Sequence, residues 1–136
     1  MPTHITHSEQ ETITVARDLG ATLGAGDVVL LSGNLGAGKT AFVRGLAEGL
    51  GIDPAGVSSP TFTLLHEYRG GRLTLYHADL YRLEGTGTEE LGLEEAGASD
   101  GVLAVEWPDR FRRPPEKSIL IQIDIVDEST RSITMS

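Results

Sequence analysis

The eight residues Gly33-Asn34-Leu35-Gly36-Ala37-Gly38-Lys39-Thr40 fill the pattern G-x-x-x-x-G-K-T without a mismatch. Each position answers a need of polyphosphate binding. Glycines let backbone N–H groups converge on phosphate oxygens with no Cβ in the way, and a helix starting at the lysine adds the partial positive charge of its N-terminus. Lys39 reaches the β- and γ-phosphates. The Thr40 hydroxyl is a ligand for magnesium, an ion that keeps most of its water and takes one or two protein ligands. The pattern has this meaning only between a strand and a helix. Residues 27–32 are an apolar run with β-branched residues, bounded by Gly26 and Gly33, which predicts a strand buried on both faces at the centre of a sheet. Phe42, Val43, Leu46, Ala47 and Leu50 then form one helical stripe over 39–50, with Gly51 as its stop.

Upstream, Ser8 and Glu11 make a capping box ahead of Ile13, Ala16, Leu19 and Leu23, so a first helix is expected, closed by a glycine C-cap at Gly24 and preceded by a frayed terminus. Downstream, Ser58-Ser59-Pro60-Thr61 reads as a loop, because the residue before proline is pushed out of the helical region. Residues 62–68 and 73–79 are β-prone and joined by Arg69-Gly70-Gly71-Arg72, where the glycines can supply the positive φ of a tight antiparallel hairpin. That hairpin would set His66 opposite His77. Residues 84–100 are rich in Gly, Thr and Glu, with a short helix expected around 89–95. Val102-Leu103-Ala104-Val105 predicts a second central strand, ending in Glu106. Residues 119–126 and 131–135 form an edge hairpin turning at 127–130. The sum is one α/β domain over 1–136: a three-layer phosphate-loop NTPase fold with a mixed central sheet, flanking helices and antiparallel edge hairpins.

Composition removes several function classes. The 136 residues are 39% apolar, enough for one core and not two. Lys and Arg number 11 against 20 Asp and Glu, and a net charge of -9 is opposite in sign to the basic face of an autonomous nucleic-acid binder. With no cysteine, disulfides, iron–sulfur clusters, thiolate zinc sites and cysteine nucleophiles are excluded. Residues 1–10 lack a basic run followed by an apolar stretch, and no window approaches the roughly 18 apolar residues of a membrane span, so a soluble cytoplasmic protein is expected. His66 and His77 lack a third ligand and read as strand decoration, not as a zinc site. His4 and His7 have no support for a metal or catalytic role. Arg110, Arg112 and Arg113, the one basic cluster, read as a solvated loop, with protein docking or phosphate contact as the alternative.

A magnesium nucleotide site also needs a carboxylate near Thr40, commonly at the end of a neighbouring buried strand. Two candidates exist: Glu106 after 102–105 and Asp79 after 73–78. Spacing leaves open which is nearer the metal. Neither Lys39 nor Lys117 lies in an N-K-x-D or T-K-x-D guanine-reading segment, so ATP is the expected nucleotide.

Four separated segments together carry a specific resemblance. The loop 33–40, Ser58-Ser59-Pro60-Thr61-Phe62-Thr63-Leu64, His77-Ala78-Asp79-Leu80-Tyr81-Arg82-Leu83 and Val105-Glu106-Trp107-Pro108 are similar, in that order, to the small bacterial P-loop ATPases of the TsaE family, formerly YjeE, over roughly residues 8–126. The resemblance implies a cytoplasmic ATPase required for tRNA N6-threonylcarbamoyladenosine (t6A) formation. It implies as partners TsaD, which performs the transfer, and TsaB, which dimerises with TsaD; this protein would sustain their cycle and meet tRNA indirectly, through the complex. Carried over by motif, Gly33, Asn34, Leu35, Gly36, Ala37, Gly38, Lys39 and Thr40 cradle ATP, Thr61 lies in a switch-like loop and Trp107 stands beside the nucleotide. Thr40 and Glu106 hold Mg2+, and Lys39, Asp79 and Glu106 are the catalytic set. Residues 85–87 and the tail after 128 match nothing diagnostic.

The chemistry expected is in-line attack of water on the γ-phosphate, with charge stabilised by loop amides, Lys39 and magnesium. No arginine finger is visible, so intrinsic hydrolysis should be slow and partner-stimulated. Two alternatives stay open: a small-molecule kinase, for which 136 residues leave little room for a lid, and an ATP-dependent binding module that does not hydrolyse.

Overall fold

The computed structural model describes residues 3–33, 38–53, 55, 65–79, 101–106 and 118–136. In chain order the elements are β1 (Thr3–Thr6), α1 (Glu9–Gly20), β2 (Val28–Ser32), α2 (Lys39–Gly49), β3 (Leu65–Tyr68), β4 (Thr74–Asp79), β5 (Gly101–Glu106), β6 (Ile119–Ile125) and β7 (Arg131–Met135). Among the described residues these strands form one sheet of order β1-β7-β6-β2-β5-β4-β3. β4, β5, β2 and β6 run parallel, while β3 against β4, β6 against β7 and β7 against β1 are antiparallel. The two apolar runs expected to be central are central: β2 lies between β5 and β6, and every residue of β5 is buried.

Alternation sorts the sheet into two faces. Val29, Leu31, Leu75, Val102, Ala104, Ile121, Ile123 and Ile133 face α1 and α2, where Ala16, Phe42, Val43, Leu46, Ala47 and Leu50 complete the core. Each fully buried Val, Leu, Ile or Phe side chain there contributes about 1.5–3 kcal/mol. Val28, Leu30, Ala78, Leu103 and Val105, pointing the other way, are buried as well. The described helices both cover the first face.

Local chemistry sets the helix ends. The Ser8 hydroxyl accepts the Glu11 N–H at 3.1 Å, as the capping box expected for α1 requires, while the Glu11 carboxylate accepts the N–H of His7, one residue ahead of the cap, at 3.1 Å. α2 closes as a Schellman motif: Gly51, at φ 83°, donates to Glu48 O and Ile52 donates to Ala47 O.

Four expectations are corrected. α1 stops at Gly20 with Ala21 as its C-cap, not at Gly24, because the Arg72 guanidinium donates to the Gly20 and Ala21 carbonyls at 2.9 and 3.2 Å and the Thr22 hydroxyl donates to Leu19 O at 2.7 Å. A cation from 51 residues away does the work assigned to a glycine. The terminus expected to fray is instead β1, with His4 opposite Ile133 and the buried Thr6 hydroxyl bonded to that of Thr12 at 2.8 Å. The β6–β7 hairpin is consequently no edge: β6 pairs with β2 and β7 with β1. In the 69–72 connection, only Gly70 has positive φ. Gly71 answers to space, since a Cβ there would collide with the Leu50 carbonyl and with Ile52.

α1 and α2 touch backbone to backbone. A Cβ on Gly45 would strike the Ile13 carbonyl and Ala16, and one on Gly49 would strike the Arg17 carbonyl. The exposed pairs Arg17–Glu48 and Arg44–Glu9, at 3.4 and 3.1 Å, flank this seam and add at most about 1 kcal/mol each. Gly45→Ala therefore sets a gain in helix propensity of about 1 kcal/mol against overpacking of about 1–3 kcal/mol with backbone as the obstacle. The expected result is net destabilisation, read as a lower urea midpoint at unchanged m; a raised midpoint would show that the seam yields.

Candidate functional site

Parallel pairing brings three strand ends together. Leu31 is the Cα partner of Glu106 and Glu106 that of Asp79, so the ends of β2, β5 and β4 form a row beside the point where the chain leaves Ser32 through Gly33 toward α2. Ligand sites of open α/β sheets lie outside such carboxyl ends. The two acidic positions chosen from sequence thus end adjacent strands, Glu106 on β5 beside β2 and Asp79 on β4 one strand further out.

The two described ends of the loop are tied directly. Lys39, the first residue of α2, is 5% exposed, and its Nζ donates to the Gly33 carbonyl at 2.6 Å. Burying an ammonium costs several kcal/mol of lost hydration, so it is held by fixed dipoles. Gly38, the N-cap of α2, has φ 109° and ψ 19°. The nearest atom to a Cβ there would be Thr12 Cγ2 at 4.0 Å, so the backbone angle, not space, calls for glycine. Gly38 has no side-chain oxygen to cap the helix, and the first turn of α2 holds no acidic residue. Phe42 N–H to Gly38 O, at 2.9 Å, opens the intrahelical ladder, and the amides ahead of it have no partner within the helix. A buried ammonium and an uncapped positive helix end make a cationic spot in a chain of net charge -9. Thr40 follows, half-buried, in the same turn.

On the other side stands a buried polar chain. Glu106 is 3% exposed and its Oε2 accepts from His77 Nε2 at 2.5 Å. His77 is fully buried. Its Nδ1 lies 3.5 Å from the Tyr68 hydroxyl, which lies 3.0 Å from His66 Nδ1. His66 and His77 are opposite each other in the β3–β4 register, as the hairpin reading requires. Burial lowers the His66 pKa below the ordinary imidazole value, and the electrostatic influence of the nearby His77 ring adds to the lowering.

Of the residues chosen from sequence, Gly33, Gly38, Lys39 and Thr40 meet at the β2–α2 junction, Glu106 ends the adjoining strand and Asp79 is placed beside it by its backbone. Asn34, Leu35, Gly36, Ala37, Thr61 and Trp107 lie outside the described residues, as do the 58–64 loop, the 89–95 helix and Arg110, Arg112 and Arg113. His77 was missed as a partner of Glu106. Its signal was its place two residues before the end of β4, the strand paired with β5. Among the described residues no group of three or more His, Asp or Glu could hold a metal ion, and no helix is long and apolar enough to cross a membrane.

A family model described as "Threonylcarbamoyl adenosine biosynthesis protein TsaE" matches residues 6–133. The "tRNA threonylcarbamoyladenosine biosynthesis protein TsaE" of Bacillus subtilis is 43% identical over 132 residues, covering 96% of this chain and 82% of that protein. Its namesake in Treponema pallidum is 42% identical over 134 residues, with 97% and 98% covered. A crystal structure of Bacillus subtilis YdiB superposes with a TM-score of 0.78 at 36% identity, over 98% of this chain and 83% of that one.

The lowered His66 pKa has a sign that can be measured. The unfolded chain takes up this proton near 6.5 and the folded chain only below that, so stability is full above 6.5 and is lost as pH falls from 6.5 to the folded value. Urea midpoints of the wild type should fall more steeply over that window than those of His66→Gln. Parallel curves would refute the burial of His66.

Proposed function

The chain belongs to the TsaE family, whose place is in tRNA threonylcarbamoyladenosine biosynthesis, and from that premise we propose that it binds ATP with Mg2+ at the β2–α2 junction and hydrolyses the ATP. The observation that carries this reading is the buried Lys39 ammonium, fixed 2.6 Å from the Gly33 carbonyl at the head of a helix with no side-chain cap. That arrangement offers a fixed positive charge and backbone donors to a polyphosphate, with no reorganisation needed when charge develops.

In the proposed reaction a water oxygen attacks the γ-phosphorus in line, the bond to the β-phosphate bridging oxygen breaks, and ADP and phosphate leave, the water proton passing to solvent or phosphate. Lys39 and the α2 amides hold the β- and γ-oxygens. Asp79 or Glu106, side by side at the strand ends, orients the water. The donor set of a hydroxyl and a carboxylate suits magnesium, and Thr40 and Glu106 would hold it. When bound, that ion neutralises charge on the β- and γ-oxygens. Asn34, Leu35, Gly36, Ala37, Thr61 and Trp107 complete the nucleotide's surroundings in this reading, on the strength of the motif.

The proposed setting is cytoplasmic, with TsaD and TsaB as partners and tRNA reached through them. An acidic chain is suited to that, since direct binding to a phosphate backbone draws on Lys and Arg. Intrinsic turnover is slow in this reading, because a stabilising cation supplied by a partner is commonly worth about 10³- to 10⁵-fold.

Phosphate release and calorimetry with MgATP test it. The wild type should bind ATP and hydrolyse it slowly, faster with TsaB and TsaD present, and sustain t6A formation over many turnovers. Lys39→Ala should lose about 10²- to 10³-fold in hydrolysis, and t6A formation with it. Absence of ATP binding by the wild type would end the proposal. Labelled phosphate on an added hydroxyl acceptor would mark a kinase, and full t6A formation by a Glu106→Ala variant that binds ATP without turnover would mark a binding module.

A further inference from the structure

His77 is a polar residue in an apolar place. It has no exposed surface, and its neighbours on the same sheet face, Leu75, Val102 and Ala104, belong to the core. It is not stranded there: no buried polar side-chain atom among the described residues lacks a partner. As an acceptor the Glu106 carboxylate takes the Nε2 hydrogen, which leaves Nδ1 of the neutral ring to accept from the Tyr68 hydroxyl. The Tyr68 oxygen then accepts from His66 Nδ1. Donors therefore run in one direction, from the half-buried rim at β3, through β4, to the end of β5.

The direction matters because of where the chain stops. Glutamate is flexible, and one standing alone at a strand end would sample several rotamers. Here one oxygen, Oε2, is pinned by His77, and no other hydrogen bond to Glu106 is found among the described residues. Pinning one oxygen fixes the direction of the other.

We propose that His77 is a positioning residue for the nucleotide site: its Nε2–H holds the Glu106 carboxylate in one rotamer beside the phosphate loop, and Tyr68 holds the His77 ring in the tautomer that this requires. The inference rests on the ATP site proposed above. Its logic is that of carboxylates at metal and phosphate centres, whose hydrogen-bonding partners tune them although they touch no substrate. His77 thereby acts on turnover through Glu106, while nucleotide affinity stays with Lys39 and the α2 amides.

The test uses the full chain, with MgATP hydrolysis and ATP affinity measured separately. His77→Leu removes the donor. It should lower kcat about 10- to 100-fold and raise the Mg2+ concentration for half-maximal rate, with ATP affinity nearly unchanged. His77→Gln carries an N–H donor near the place of imidazole Nε2 and should recover most of the loss, which a purely structural role would not produce. Tyr68→Phe keeps the ring and removes the hydroxyl, and should cost a few-fold in kcat alone. Should His77→Leu fail to fold, the glutamine and phenylalanine variants still decide. Unchanged kcat in Tyr68→Phe together with a folded His77→Gln as impaired as Lys39→Ala would overturn the proposal. So would a His77→Leu loss confined to ATP affinity. A wild type that binds no ATP would instead bring down the site reading itself, and that result is seen before any variant is made.

Discussion

Parallel hydrogen bonding between β2 and β5 is the constraint on which the rest depends. The pairing of Leu31 with Glu106 puts the carboxylate on the face shared with α2 and within reach of His77. Because side chains alternate, a slip of one residue would send Glu106 to the opposite face and put Val105 in its place. Such a slip is costly because both faces are buried: Leu103 and Val105 on one side, Val102 and Ala104 on the other, none with exposed surface. The site's register is thus specified by aliphatic side chains that have no part in its chemistry.

The strand and the helix on either side of the glycine-rich stretch were legible because each signal is local. A glycine loop, a lysine and a helical stripe are read within about twenty residues, and a Schellman stop at Gly51 needs only its own neighbours. What was not legible came from distant partners. Gly24 resembles a helix stop, but Arg72 supplies the cap from the β3–β4 turn. Residues 3–6 are too short and too polar to announce a strand, and become one only because β7 offers an unpaired edge. His77 looked like decoration since its partner is 29 positions away, on a strand whose register no periodicity reveals.

Charge is arranged against the overall balance. A chain with nearly twice as many acids as bases keeps one of its few lysines buried at a helix N-terminus, with no acid in that turn to neutralise it. On the exposed helix surface acids are paired with cations, Glu48 with Arg17 and Glu9 with Arg44. A helix of the same length could have been capped by a Ser or Asp side chain, worth roughly a few tenths of a kcal/mol over glycine. Glycine forgoes that, and the amides of the first turn remain oriented toward the loop.

The same comparison bears on His77 and Glu106. Two apolar residues of similar shape in their place would leave folding unchanged or improve it, since a buried polar pair regains in mutual attraction little more than it loses in hydration. A leucine in place of His77 alone would bury well, yet leave a buried carboxylate without its donor at a cost of about 3–5 kcal/mol. The pair is therefore self-consistent but not needed for stability, and neither member is accounted for by the core around it. Core packing explains why Leu31, Ala104 and Ile121 are apolar; it gives no reason for an imidazole and a carboxylate to share their layer. The end of β5, which the register sets beside the end of β2, is where the proposed nucleotide site supplies such a reason.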